Sequence, residues 1–257
     1  MLRDLQRRKA RGRRGLALVE GVRLVEEALG AGLTFRGALI APDLERTARG
    51  TALREELDRH AVPVEEVSAR TLEKLTDTDT PQGIVAVVEP RKWSADELPV
   101  GPKSVVLVID GVQDPGNVGT LIRTAHALGA AGTVVLRGTA DVVSPKALRA
   151  AMGATFRHPV VVLDDPALIT WARKRDLTLW AAAADGTPLH RALTEAGKRD
   201  GVGGPVGVIV GNEGAGIRPQ LNAVSTKRVA IPLAQGAESL NVAVAAGILL
   251  YEVLRGR

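Results

Sequence analysis

From residue 105 onward, short runs of Val, Ile and Leu alternate with longer stretches of helical periodicity. Residues 105–109, 133–136, 178–183, 206–210 and 228–231 read as strands, and 118–128, 145–156, 168–175, 189–196 and 241–254 as helices. Several of these strands are apolar at every position rather than at alternate ones, which signals burial on both faces. Such alternation predicts a parallel sheet covered by helices on both sides. Aromatic residues make up only 2% of the 257-residue chain, so the core has to be built from Ala, Val, Leu and Ile.

Three strand-to-helix junctions are punctuated by glycine and polar side chains. They are 110–130 (DGVQDPGNVGTLIRTAHALGA), 208–217 (VIVGNEGAGI) and 231–242 (IPLAQGAESLNV). Open α/β sheets bind ligands at the carboxyl ends of their strands, so three such junctions suggest one composite site. Each also has a plain structural reading. Asn117 reads as the N-cap of the helix it opens, with Arg123 on a solvent face. Gly211, Gly214 and Gly216 suit a tight turn around Asn212 and Glu213. Ser239 reads as the N-cap of the last helix. That helix (VAVAAGILLYEVL) is apolar on nearly all sides, so it has to be buried in the core or in a subunit interface.

The first ninety residues read as a smaller α/β unit. Residues 20–29 show helical spacing, 35–40 and 84–88 are β-branched runs, 51–61 is a polar helix, 71–75 is a helical turn, and 76–83 (TDTDTPQG) is a loop. Residues 89–103, with three prolines and no periodicity, read as a linker. The implied division is a basic arm 1–14, a domain 15–89, a linker 90–104 and a domain 105–257. Residues 1–14 hold seven basic residues, Arg3, Arg7, Arg8, Lys9, Arg11, Arg13 and Arg14, against Asp4 alone, whereas the rest has 27 basic and 28 acidic residues. Such an arm suits phosphate contacts to nucleic acid, and equally a solvated terminus.

Other chemistries find little support. With no cysteine, disulfides, zinc–thiolate sites and thiol nucleophiles are excluded, and a reducing cytoplasm fits. No apolar run reaches membrane-spanning length, so no membrane partner is expected, and the N-terminus lacks the apolar core of a signal peptide. The four histidines, His60, His126, His158 and His190, do not sit at metal-ligand spacing, so no metal is expected; His158, before Pro159, reads as structural or exposed. The G-x-S-x-G, G-x-G-x-x-G and P-loop signatures are absent, which disfavours a serine hydrolase and a nucleotide-dependent dehydrogenase.

In this order, N-V-G-T-L-I-R-T-A at 117–125, V-G-N-E-G-A-G-I at 210–217 and I-P-L followed by E-S-L-N-V at 238–242 resemble the motifs of SpoU/TrmH RNA ribose 2′-O-methyltransferases, of the SPOUT superfamily. Residues 144–156 (SPKALRAAMGATF) resemble the helix between the first two motifs, with Ala150 and Ala151 where relatives often carry a hydroxyl. The N-terminal part, through 20–23 (EGVR) and 80–83 (TPQG), resembles the family's small ribosomal-protein-like RNA-binding domain. The resemblance implies an α/β fold whose C-terminal parallel sheet carries a trefoil knot, S-adenosylmethionine as cofactor, RNA (ribosomal RNA above all) as substrate, and a homodimer with the active site near the interface. It implies Asn117, Arg123, Glu213, Ser239 and Asn241 at the reacting ribose. It implies Gly211, Gly216, Ile231, Leu233 and Leu240 around the cofactor, and the basic arm, Arg23 and Lys146 on the RNA. Transfer RNA as substrate and a non-enzymatic RNA-binding protein with a relic pocket are the alternatives. An arginine side chain is always charged, so Arg123 is expected to fix the neighbouring phosphate and favour the ionised hydroxyl rather than remove its proton.

Overall fold

The computed structural model describes residues 2–76, 81–199 and 204–256. Thr80 of the TPQG segment lies outside the described residues, as does the side chain of Arg3. The chain divides into two compact units, Met1–Arg91 with Asp141–Arg157, and Lys92–Ala140 with His158–Arg257.

The N-terminal stretch runs α1 (Leu2–Leu5), α2 (Arg8–Arg14), β1 (Ala17–Glu20), α3 (Val22–Gly30), β2 (Thr34–Ile40), α4 (Ala48–Arg59), β3 (Val64–Glu66), α5 (Ala69–Glu73) and β4 (Ile84–Glu89). Its four strands pair in the order β1-β4-β2-β3, antiparallel except for β2 with β3. One face packs Val19, Val25, Leu53 and Ile84 together with Leu148 and Phe156 from the 141–157 segment. The other face packs Leu18, Val85 and Val87 against Leu5 and Leu72. Hence β1 is buried at all four positions, although the run is too short for periodicity to mark it as a strand.

The basic arm is part of this fold. Leu5 is fully buried, and Arg11 is 4% exposed. Arg11 Nε donates to Asp141 Oδ2 at 2.8 Å, and its Nη1 donates to the Leu5 and Gln6 carbonyls at 2.7 Å each. Arg11 therefore leaves the set of expected phosphate contacts: it is a structural cation, and charge spacing alone could not show which basic residue faces inward. Arg7, Arg8, Lys9, Arg13 and Arg14 are exposed, with Arg14 facing Asp4 at 3.6 Å. Deleting the arm would open the core around Leu5, so its role is best tested by charge. With Arg7, Arg8, Lys9 and Arg13 replaced by Gln, RNA affinity is expected to fall and its log–log salt dependence to flatten, by about 0.7–0.9 per lost phosphate contact. An unchanged salt slope in filter-binding titrations would remove the arm from the RNA interface.

The second stretch runs β5 (Val105–Ile109), α6 (Pro115–Ala127), β6 (Gly132–Leu136), α7 (Pro145–Ala151), α8 (Ala154–Arg157), β7 (Val160–Leu163), α9 (Asp165–Lys174), β8 (Thr178–Pro188), α10 (Leu189–Arg199), β9 (Val206–Val210), α11 (Pro219–Val224), β10 (Lys227–Ala230) and α12 (Val242–Arg255). The single helix expected over 145–156 is two, α7 and α8, both in the N-terminal unit. The break is at Met152 (φ 50°) and Gly153 (φ 84°), where a Cβ on Gly153 would lie 2.6 Å from Glu27 Cβ. Arg149 and Arg157 of this segment pair with Glu20 and Glu27, as Asp141 does with Arg11.

Six strands of the second unit form a parallel sheet in the order β10-β8-β9-β5-β6-β7. β5, β6 and β9 are buried at every position. The chain leaves β5 toward β6 on one side and returns to β9 on the other, which makes the β5–β9 boundary a switch point. Residues 92–104, read as linker, hold a 3-10 turn at Ala95–Glu97 and place Leu98 in this unit's core. β7 was not legible as a strand; it packs Val161 into the same core. β8 interrupts its pairing with β10: Arg228 pairs with Ala181 but Val229 with Thr187, so residues 182–186 leave the ladder.

His158 is buried and shares a 2.9 Å hydrogen bond with Thr133 Oγ1. Burial, and next the nearby His126, lower its pKa from 6.5 to about 4. A depressed histidine pKa makes folding costlier as pH falls from 6.5 toward 4, because only the unfolded chain takes up the proton there. The expected loss by pH 4 is about 3 kcal/mol. Urea unfolding across this range should show a shallower acid slope in His158→Gln than in the parent; parallel slopes would contradict the assignment.

Candidate active site

The first junction is set by Asp114 rather than Asn117. Pro115 occupies the first helical position, where its missing N–H is no loss. Asp114 Oδ1 then accepts from Asn117 N at 2.9 Å, and the helix starts upstream of the expected cap. This frees the Asn117 side chain, whose Nδ2 donates to Glu213 Oε1 at 2.9 Å. Its Oδ1 accepts from Asn241 Nδ2 at 3.1 Å. Asn241, not Ser239, caps α12, with Oδ1 accepting from Ala243 N at 2.9 Å and Val244 N at 3.3 Å. One hydrogen-bonded chain thus joins all three motifs and ends on a helix N-terminus.

Asn212 builds the second motif. Its Oδ1 accepts from Gly214 N and Ala215 N at 2.9 Å each, and its Nδ2 donates to the Gly111 carbonyl at 2.9 Å. Its backbone pairs both ways with Gly216 at 3.0 Å. The turn brings residues 216–217 back onto Gly211, where an added Cβ would lie 2.5 Å from the Gly216 oxygen. Below it, Asp110 is 1% exposed and accepts from Arg218 N at 2.8 Å and Arg218 Nε at 2.6 Å. Arg218 also faces Asp165 at 3.0 Å. This strut ties the second motif to the end of β5. Neither Asn212 nor Asp110 was among the expected site residues; an Asn directly after a strand among glycines is the signal for the turn.

The loops enclose a cleft of about 620 Å³ at the carboxyl ends of β8, β9 and β10. Gly211, Glu213, Gly216, Ile231, Leu233, Ser239, Leu240 and Asn241 all line it. So do residues 182–185, the excursion from β8. Asn117 lies beside the cleft, in a groove shared by α6 and α12 with Thr120, Thr124, Val244 and Ile248. Arg123 stands apart from these residues. It is exposed, about 9 Å further along α6 by helical rise, and has no ion pair or hydrogen bond among the described residues. Arg23 and Lys146 are exposed in the N-terminal unit. Among the described residues no cluster of His, Asp and Glu is placed to hold a metal ion, and no helix is long and apolar enough to cross a membrane.

A parallel sheet with a cleft at the carboxyl ends of its strands, walled by the second and third glycine-rich loops and bordered by the first, defines an α/β protein built to hold a small cofactor. Residues 104–251 match the model of the SpoU rRNA Methylase family, and residues 1–86 match the MRM3-like substrate binding domain. The chain belongs to the SpoU rRNA methylase family. It is 34% identical to the 23S rRNA (guanosine(2553)-2′-O)-methyltransferase RlmP of Bacillus subtilis, over 99% of this chain and 94% of that one. It is 34% identical to the 23S rRNA (uridine(2479)-2′-O)-methyltransferase of Streptomyces viridochromogenes, over 98% and 87%. The crystal structure of the SpoU methyltransferase AviRb from the same organism, in complex with AdoMet, superposes with a TM-score of 0.85 at 31% identity, over 99% of this chain and 95% of that one.

Proposed function

We propose that the protein transfers the methyl group of S-adenosylmethionine to a ribose 2′-hydroxyl in structured RNA, ribosomal RNA being the substrate. The observation that carries this reading is the Glu213–Asn117–Asn241 hydrogen-bond chain at the mouth of one cleft. The cleft fits the cofactor: its volume lies within the range of small-molecule sites, and Gly211 leaves no Cβ where the turn closes. Gly211, Gly216, Ile231, Leu233 and Leu240 would hold it, through backbone and apolar surface. When bound, it supplies an electrophilic methyl group on a sulfonium.

The polar residues prepare the acceptor. Asn117 and Asn241 are held by one another and by the α12 N-terminus, so their amides are preorganised rather than mobile. Glu213 presents a carboxylate at the cleft and Ser239 a hydroxyl, groups able to orient the sugar and relay its proton. Arg123 holds the adjoining phosphate. With all five polar positions intact, the relic-pocket alternative has little to recommend it. The test is transfer of tritium from labelled S-adenosylmethionine to ribosomal RNA, with transfer RNA in parallel, followed by mapping of the 2′-O-methyl site. No cofactor binding by calorimetry and no labelled RNA would end this reading.

The same reading includes a trefoil knot and a homodimer. Support for the dimer comes from Val244, Ile248 and Tyr251, which sit at helical spacing on α12 and are 52%, 39% and 51% exposed. Light scattering should give twice the chain mass, and Ile248→Glu should give a monomer with weakened methylation. A monomeric parent protein would refute the assembly.

A further inference from the structure

The N-terminal unit contains a second cavity, of about 300 Å³, that has no part in the cofactor cleft. Its apolar surface comes from Leu24, Ile84 and Met152. Its charged wall is Glu20, 6% exposed, which accepts from Arg149 Nη1 at 2.5 Å. At the rim, Gln82 Oε1 accepts from Val22 N at 3.0 Å, doing for α3 what its cap residue Gly21 cannot. Gln82 Nε2 keeps a free donor among the described residues, and Arg23 stands exposed in the first turn of α3.

Glu20 is a buried carboxylate whose partner Arg149 is only half-buried, and an ion pair of this kind gains little for stability over apolar packing; here it faces open space. Apolar surface opposite a few fixed polar groups is the usual composition of a ligand site, and the volume admits one small planar group rather than a helix. Sequence-specific RNA recognition rests on unpaired bases, which are normally stacked on aromatic rings. This chain has almost none, so its base platform has to be aliphatic. We infer that the cavity takes one unpaired nucleotide of the RNA substrate. Its base lies against Leu24, Ile84 and Met152, its polar edge faces Gln82 and the Glu20–Arg149 pair, and its phosphate meets Arg23. The inference rests on the RNA-methylating function proposed above. Arg149 and Met152 lie outside the matched substrate-binding stretch 1–86, so residues 141–157 complete a pocket that this stretch alone would leave open.

The test compares binding of the full-length protein to a short RNA hairpin carrying one bulged nucleotide, varied through all four bases, with binding to the same hairpin fully paired. The parent protein should prefer one bulged hairpin by about tenfold, the equivalent of one stacked and hydrogen-bonded base. Thr76→Trp, which fills the cavity, and Arg23→Glu, which reverses its rim, should each abolish the preference while S-adenosylmethionine affinity stays constant. Equal binding of bulged and paired hairpins by the parent, or a preference that survives both substitutions, would overturn the inference. So would tight binding of a free nucleoside monophosphate without any bulge preference, which would assign the cavity to a small metabolite. Failure of the parent to bind cofactor or label RNA would count against the enzymatic reading, whereas the bulge comparison reports on the cavity.

Discussion

Gly211→Ala is expected to weaken cofactor binding by about a hundredfold, and methyl transfer with it, without unfolding the sheet. The added methyl group would sit 2.5 Å from the Gly216 oxygen, and its other nearest neighbours, Gly216 C and Ile217 N, are also backbone. Backbone cannot rotate out of the way as a side chain can, so residues 212–217 would have to move as a loop. Overpacking of this kind costs about 1–3 kcal/mol even where side chains can adjust. At 1.4 kcal/mol per tenfold, affinity should fall by about a hundredfold or more. Gly214 is the internal control, because a Cβ there would meet only Asn212 Oδ1, at 3.7 Å. Calorimetry with S-adenosylmethionine should therefore separate Gly214→Ala, within a fewfold of the parent, from Gly211→Ala. Equal affinities would mean that the turn does not enclose the cofactor.

Arg123→Lys should lower kcat by about tenfold to a hundredfold while cofactor affinity holds. Arg123 makes no ion pair or hydrogen bond among the described residues, so removing its guanidinium should leave the fold intact. If its role is a two-point grip on the phosphate beside the reacting ribose, lysine keeps the charge and loses the fork. One charge-assisted hydrogen bond is worth about 1.5–3 kcal/mol, which sets the range. Steady-state methylation at saturating cofactor and RNA is the measurement. Near-parent rates in Arg123→Lys would show that charge alone suffices, and near-parent rates in Arg123→Ala would remove the residue from the reaction.

What could be read from the sequence depended on the range of the interaction. β5 and β9 were legible to the residue, because a five-residue apolar run bounded by polar residues, as in β5, or by Pro205 and Gly211, as in β9, is a local signal. β1, β3 and β7 span three or four residues, too few for any period to show. The helical caps at Asn117 and Ser239 failed for a local reason as well: Asp114 and Asn241 are equally good acceptors a few residues away, and Pro115 decides the first case. The chain of Asn117, Glu213 and Asn241 crosses 96 and 124 residues. Spacing cannot reveal a contact of that kind: the junction pattern suggested one composite site, and the resemblance of all three motifs to one family picked out these side chains within it. Arg11 shows the opposite failure, since a run of like charges hides the one member that is buried against an acid 130 residues away.

The chain passes between its two compact units three times, after residues 91, 140 and 157. A fragment cut at the first crossing would strand Arg11, Glu20 and Glu27 without the Asp141, Arg149 and Arg157 that neutralise them. The N-terminal unit is therefore not a cassette that can be clipped off and grafted onto another methyltransferase. A chimera designed to redirect the enzyme to a new ribosomal target has to transplant residues 141–157 along with the front of the chain.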